Sequence, residues 1–167
     1  MPISIIETSA VGSLDPSSFP SGTVLQVKNF ESSITSGELV TTSTSSWTAS
    51  GVYIDFTPIS ASSLIVVRAD LQSKNDGGSN TSDGLVMRIM RDTTNRVGVG
   101  GQGDAFFHQS GTSNHNQHFQ MSFSVSENAS NTNSRRYEVY FRSFGGNAAG
   151  INYDWGAQSM QVMEIAG

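Results

Sequence analysis

The chain of 167 residues contains no cysteine, which excludes disulfide frameworks, thiolate zinc sites and cysteine nucleophiles. Charge is scarce as well, because Lys and Arg total 9, Asp and Glu total 14, and the net charge is -5. An acidic chain lacks the basic surface that nucleic-acid binding normally needs, so we expect no nucleic-acid partner. No window approaches about 18 apolar residues, and the first residues lack the pattern of a secretory signal, so we expect neither a membrane span nor a leader.

Helical periodicity is also missing, since no 11-residue window repeats its apolar residues every 3.6 positions. The chain instead has 28 serines, 13 threonines and 15 aromatic residues (9 Phe, 4 Tyr and 2 Trp), enough aromatic surface for a core. Short runs alternate apolar and polar residues, most cleanly over 119–126. The runs that we predict as strands are 23–30, 38–44, 52–59, 64–71, 85–92, 119–126, 137–142 and 160–165.

These runs predict an all-β fold, an antiparallel jelly roll or β-sandwich of about seven to nine strands. The apolar run Leu64–Val67 predicts a central strand with apolar residues on both faces, and Pro58 restricts the preceding strand to an edge or a strand end. Residues 1–22 hold three prolines and no sustained period of two, so they predict an extended N-terminal arm. Residues 23–167 then form a single domain.

Three glycines, Gly98, Gly100 and Gly103, match the GxGxxG pattern of dinucleotide-binding loops. That chemistry needs a helix directly after the glycines, because the helix N-terminus holds the pyrophosphate. The residues that follow predict more loop and no helix, so we interpret the glycines as a turn or bulge and expect no cofactor.

Three histidines, His108, His115 and His118, lie within eleven residues and suggest a metal site. Strand positions three apart point to opposite faces, so His115 and His118 would not converge on one ion without a loop. We therefore interpret them as polar loop donors and expect no metal. A three-fold oligomer could still gather one repeated histidine around its axis, and this alternative stays open.

Nucleophilic catalysis has no motif here, because the chain lacks GxSxG, SxxK and HExxH. Asp76, Asp83 and Asp154 could in principle supply the paired carboxylates of a glycoside hydrolase. Aspartates in such Gly- and Asn-rich segments more often serve turn geometry. We therefore expect a protein that is not an enzyme.

Three segments carry a resemblance to a known group of proteins: GTVLQVKNF at 22–30, TTSTSSWTASGVYIDFTPISASSLIVV at 41–67 and SMQVMEIAG at 159–167. They resemble the small β-rich virion proteins of tailed bacteriophages, particularly phages of cyanobacteria and marine bacteria. The similarity covers nearly all of the chain after residue 21. It implies a jelly-roll subunit, usually trimeric, displayed on the outside of the virion as a head decoration protein or as a fibre or spike tip.

The expected function is therefore a trimeric head decoration, or cement, protein that docks on the major capsid protein or another virion protein. The arm would supply the capsid contacts through its apolar residues. These are Ile3, Ile5, Ile6, Val11, Leu14 and Phe19. The alternative is a tail fibre or spike tip that binds host-surface polysaccharide through loops at the distal end. Its candidate residues are Asn80, His108, His115, His118 and Trp155.

Overall fold

The computed structural model describes residues 15, 18–33, 40–42, 45–75, 82–98, 103–110, 117–151 and 157–167. Strands dominate this part of the chain, and it contains no α-helix. The strands are β1 (Val24–Ser33), β2 (Val40–Thr42), β3 (Thr48–Phe56), β4 (Leu64–Asn75), β5 (Ser82–Arg91), β6 (Asn95–Arg96), β7 (Ala105–Ser110), β8 (Gln117–Asn128), β9 (Arg135–Phe144), β10 (Ala149–Ile151) and β11 (Ala157–Ile165).

Sheet I is built around β4. Strand β8 pairs with β4 along its whole length, so β10 and β11 must share the other edge of β4. Strand β1 then pairs with β11, and β2 pairs with β10. Sheet I is therefore four strand positions wide, in the order β1/β2, β11/β10, β4 and β8, and every pairing is antiparallel.

Sheet II is built in the same way around β5. Strand β9 pairs with one edge of β5, while β7 and β6 share the other edge in succession. Strand β3 pairs with β9 and forms the edge of the sheet in the described part of the chain. It ends at Phe56, two residues before Pro58, as the sequence predicts.

The two sheets face each other and enclose one apolar core. Burial alternates along the strands, as in β3, where Val52, Ile54 and Phe56 are buried and the residues between them are exposed. Strand β4 contributes Ile65, Val67 and further inward residues in the same way. This alternation is the signal that period-2 analysis detects, so the expected all-β sandwich is confirmed.

The described strands number eleven, and three pairs of them share a strand position, which leaves eight positions within the expected seven to nine. One expectation is wrong: the residues that follow Gly103, from Asp104 to His108, are predicted to lead into loop, and Ala105–Ser110 form β7. Phe107 faces the core, while Phe106 lies on the outer face against Phe144. Because the adjacent Phe106 and Phe107 pack on opposite faces, the sequence shows no alternation of apolar and polar residues in this strand.

The sandwich has two ends, of which we call one the base. The base contains residues 20–23, 57–63, 92–94, 129–134 and 166–167. There the backbone N–H of Gly22 donates to the carbonyl of Ala166, so the first strand enters beside the chain's last residues. The strand ends that bound segments 76–81 and 111–116 lie at the opposite end. Residues 1–14, 16 and 17 of the predicted arm lie outside the described residues.

Candidate functional site

The residues that the sequence proposed for function are dispersed. Of the six apolar arm residues proposed as capsid contacts, only Phe19 is described, and it is half-buried. His108 lies in β7 and His118 in β8, so the expectation that they occupy a loop is wrong. His108 is exposed on the outer face of sheet II, and His118 is exposed on the outer face of sheet I. The remaining candidates lie outside the described residues: Ile3, Ile5, Ile6, Val11, Leu14, Asn80, His115 and Trp155.

Of the glycine motif, Gly98 and Gly103 are described and lie between β6 and β7, whereas Gly100 lies outside the described residues. A Cβ atom on Gly98 would lie 1.8 Å from Oδ1 of Asp104, so only glycine fits there. Strand β7 follows the motif instead of a helix. Asp104 accepts a hydrogen bond from the backbone N–H of Ile89 at 3.0 Å and an ion pair from Arg96 at 2.6 Å. The Asp104 carboxylate therefore takes the place of a strand carbonyl at the point where the hydrogen-bonded ladder along β5 is interrupted.

Sheet I contains a matching interruption between β10 and β11. There the side chain of Gln158, which is fully buried, accepts a hydrogen bond from the backbone N–H of Gln72 at 2.9 Å. Both interruptions thus place a buried polar side chain on a strand N–H that no neighbouring strand can reach. The hydrogen bonds of these two side chains therefore serve the structure of the sheets.

The buried carboxylate of Glu164 holds the β3–β4 connection at the base. It accepts hydrogen bonds from the N–H groups of Ile59 and Ser60 and from Nε2 of Gln26. Burial acts to raise the pKa of Glu164, but these donors outweigh it, and the pKa lies below its ordinary value. A carboxylate fully engaged with the backbone in this way is poorly suited to proton transfer.

A second, partly buried network joins strands β5, β8 and β9 near the base. The hydroxyl of Tyr137 donates to Oε1 of Glu127 at 2.7 Å, and Arg91 donates to Oε2 at 2.8 Å. Arg135, which is also buried, lies 3.6 Å from the same carboxylate and donates to Asn131. Burial, followed by the hydrogen bond to Glu127, raises the pKa of Tyr137 well above its ordinary range. The neighbouring Arg136 pairs with Asp55 on the surface.

The described residues contain no group of three His, Asp or Glu side chains arranged to hold a metal ion. The same part of the chain has no helix long and apolar enough to cross a membrane. Asp83 lies in β5, and the other two candidate carboxylates, Asp76 and Asp154, lie outside the described residues. The ionisable groups named above form structural pairs, and the surfaces become the candidates for function.

The first candidate surface is an apolar block on the outer face of sheet I, close to the base. Cross-strand pairing aligns two rows of three side chains on β1, β11 and β4. Val24 and Val27 are each 48% exposed and Leu64 is 36% exposed. We call this block the outer-face patch; its residues are Val24, Val27, Leu64, Val66, Met163 and Ile165. Polar side chains, including the Arg68–Asp70 ion pair, border it on the same face.

The second candidate surface is the side of the sandwich between β8 and the β6/β7 position, which we call the open side. Four inward-facing residues of β8 remain half-buried, although inward residues of β4 are fully buried. They are Phe119, Met121, Phe123 and Val125. A groove of 370 Å³ lies here, and its described lining residues are Val97, Gly98, Gly103 and Asp104 together with Ser124, Val125 and Ser126 of β8. In the described part of the chain no strand pairs with the free edge of β8.

The third candidate surface is the outer face of sheet II, which carries arginine and aromatic side chains. The guanidinium of Arg88 lies 3.9 Å from the ring centroid of Trp47, and that of Arg142 lies 5.1 Å from it. Desolvation, followed by the nearby positive charge of Arg96, lowers the pKa of Arg88. The rings of Phe106, His108 and Phe144 pack together on the same face; each pair has centroids within 5.8 Å. The histidine thus belongs to an aromatic cluster.

Comparisons with known proteins do not assign the chain to a family: no protein-family model matches it, and no curated protein matches it. The fold and these three surfaces are therefore the basis for a functional proposal.

Proposed function

We propose that the chain is a non-enzymatic structural protein of a phage virion, a homotrimeric head decoration protein that docks on the capsid shell and stabilises it. The resemblance of residues 22–30, 41–67 and 159–167 to small virion proteins supports this proposal. The single observation that carries it is the outer-face patch, an apolar block that a solitary subunit would leave in water.

We also infer that the sandwich is a jelly roll. The eight strand positions pair as nested antiparallel partners: β1 with β11, β3 with β9, β4 with β8, and β5 with β7. A long hairpin folded in this way and then rolled into two sheets has the connectivity of a jelly roll. Jelly rolls are common in viral shells, which makes the fold compatible with the proposed role.

The composition of the outer-face patch favours an interaction surface. Three neighbouring strands and two rows of side chains cover about 200 Å². A standard interface covers about 800 Å² per partner, so the patch would form the apolar centre of a larger contact, with polar groups such as Arg68 and Asp70 at its rim. Burial of the same area in a neighbouring copy would stabilise an oligomer by removing apolar surface from water.

The base would provide the contact with the shell. The first described strand enters the sandwich there, and Gly22, the last residue of the proposed arm, donates to the carbonyl of Ala166 at this end. The apolar arm residues named above would dock on the major capsid protein or on another virion protein. Contacts repeated over many copies add through avidity, and the buried area would resist the internal pressure of packaged DNA.

The test is a particle-binding assay with a protein that lacks residues 2–19. Because the core lies within the described strands, we expect the truncated chain to keep its circular dichroism spectrum and its oligomeric mass, and to lose binding to undecorated particles. A matched control changes polar arm residues, Ser4, Thr8 and Ser9, to alanine and should bind normally. Normal decoration by the truncated protein would contradict the proposed role of the arm.

The alternative function, host-surface polysaccharide binding by a tail fibre or spike tip, has its own support on the outer face of sheet II. Aromatic faces suit sugar rings, and the cluster around Phe106 lies beside the arginines that contact Trp47. Copy number separates the two proposals, because hundreds of copies per particle indicate decoration and about a dozen indicate a tail appendage. Binding of the isolated protein to a host glycan, abolished by Phe106→Ala, would favour the alternative.

A further inference from the structure

Arg88, on the outer face of sheet II, is oriented by an aromatic ring. Five other arginines of the described residues pair with a carboxylate, namely Arg68, Arg91, Arg96, Arg135 and Arg136. The guanidinium of Arg88 instead lies over the ring of Trp47, 3.9 Å from its centroid. A guanidinium this close to a ring contacts it through its flat face, and its N–H donors lie in the guanidinium plane. The contact therefore orients Arg88 and leaves its in-plane donors for another acceptor.

Arg142 brings a second guanidinium group to the same ring, 5.1 Å from the centroid of Trp47. The strand register places Arg88 opposite Tyr140 and Val86 opposite Arg142. The two arginines are thus diagonal neighbours on adjacent strands, about 7 to 8 Å apart, and long side chains reach each other from such positions. Both side chains are half-buried, so part of each remains accessible from solvent.

The charge of Arg88 is only partly balanced by its described neighbours. Desolvation, followed by the positive charge of Arg96, lowers the pKa of Arg88. Asp104 acts in the opposite direction, but its two oxygens already accept from Arg96 at 2.6 Å and from the N–H of Ile89 at 3.0 Å. Arg142 adds a further positive charge. An anion bound at Arg88 would therefore relieve repulsion between guanidinium groups, although the whole chain has a net charge of -5.

An exposed aromatic ring lies beside these arginines. Val86 pairs with Arg142 on one side and with Phe106 on the other, so the three residues form one row across sheet II. Phe106 is 49% exposed and lies two strand spacings, about 10 Å, from Arg142. The rings of Phe144 and His108 pack against it and hold it in place. The apolar face of a sugar ring suits such an aromatic ring, and another unit of the same glycan could reach the arginines.

We propose that this face of sheet II binds an anionic polysaccharide. One acidic group would accept hydrogen bonds from Arg88 and Arg142, while a nearby sugar ring packs on Phe106. The inference rests on the alternative function, host-surface polysaccharide binding, and names the class of polysaccharide. The planar donor fork of arginine suits carboxylate, sulfate and phosphate groups alike. A neutral polysaccharide would gain the contact with Phe106 and leave the positive charges without a counter-charge.

The test measures binding of the full chain to three polymers by isothermal titration calorimetry. Polygalacturonate carries carboxylates, dextran sulfate carries sulfates, and dextran is neutral. We expect binding to one or both charged polymers and none to dextran, and the preferred polymer identifies the acidic group. Because salt screens exposed charges, the affinity should fall as the ionic strength rises.

Substitutions locate the binding site. Arg88→Gln removes one charge and its donor fork, so it should weaken binding to the charged polymer about 10-fold or more and reduce the salt dependence. Arg88→Lys keeps the charge without the planar fork and should restore only part of the affinity. Arg142→Gln provides the same test if Arg88→Gln does not fold, as judged by circular dichroism. The matched control is Arg68→Gln, on the outer face of sheet I, which should bind like the wild type.

The outcomes separate this inference from the functions on which it depends. Equal binding to dextran and to the charged polymers, unchanged in Arg88→Gln, would overturn the inference and leave polysaccharide binding intact. No binding to either charged polymer would also overturn it, and no binding to host-surface polysaccharide would overturn the alternative function as well. Normal polymer binding by Arg88→Gln with loss of particle decoration would assign the arginines to a contact with a virion protein, against this inference.

Discussion

Replacement of Glu164 by glutamine removes the charge that holds the β3–β4 connection to the end of β11. The carboxylate accepts a hydrogen bond from Gln26 at 2.6 Å, from Ser60 at 2.9 Å and from Ile59 at 2.8 Å. All three groups are donors. A glutamine amide offers one acceptor oxygen, and its NH2 group would face at least one of these donors.

The loss of stability follows from the difference between charged and neutral acceptors. A hydrogen bond to a charged group contributes about 1 kcal/mol more than one to a neutral group. Three such bonds give a loss of about 3 kcal/mol in the free energy of unfolding for Glu164→Gln. For a chain of this length, a loss of this size lowers the Tm by about 6 to 12 °C.

The effect should also depend on pH, with a definite sign. Because the folded-state pKa of Glu164 lies below its ordinary value of 4.5, the folded protein holds the proton more weakly than the unfolded chain does. The stabilisation is therefore complete above about pH 4.5 and is lost as the pH falls through the lowered folded-state value. The difference between wild type and Glu164→Gln should be constant from pH 7 to pH 5 and then shrink.

Urea unfolding of both proteins between pH 7 and pH 3 measures this difference. Asp55→Asn is the matched control, because Asp55 is an exposed carboxylate that pairs with Arg136 on the surface. The Tm of the Asp55→Asn variant at pH 7 should stay close to that of the wild type. A Glu164→Gln variant as stable as the wild type at pH 7, or a difference that grows in acid, would refute the reasoning.

Two further substitutions test other parts of the fold. Tyr137→Phe removes the hydroxyl that donates to Glu127, and it should cost about 1 to 2 kcal/mol by urea titration, against no loss if the hydroxyl contributes nothing. Gly103→Ala places a Cβ 2.7 Å from the carbonyl oxygen of Met87 and should cost more than about 2 kcal/mol. Gly146→Ala, at an open position with φ +93°, should cost only about 1 kcal/mol, so equal losses would contradict the packing argument.

The sequence predicts those strands that have one face in the core and one in solvent. Strand β3 and the end of β11 alternate cleanly, and the predicted runs 52–59 and 160–165 overlap them. Strand β6 has only two residues, Asn95 and Arg96, which are too few for any periodic signal. Strand β7 was missed for a different reason, because its outer face is aromatic as well as its inner face.

The outer-face patch is only partly visible in the sequence. The run Leu64–Val67 indicates apolar residues on both faces of β4, and Met163 falls on the side opposite the core residues of β11. That Val66 lies beside Met163, and that Val27 completes the row, depends on which strands are neighbours and in which register. One sequence does not contain that information, because register is fixed by contacts distant along the chain.

The open side is a consequence of topology that no local pattern predicts. Strand β8 has the cleanest alternation in the chain, which predicts that Phe119, Phe123 and their neighbours are core residues. They stay half-buried because the strand position opposite them is interrupted between β6 and β7. The interruption persists because Asp104 satisfies the N–H of Ile89, so the ladder can break without an unpaired donor. A single buried carboxylate thus allows the strand position beside β5 to be interrupted and leaves room for the groove on the open side.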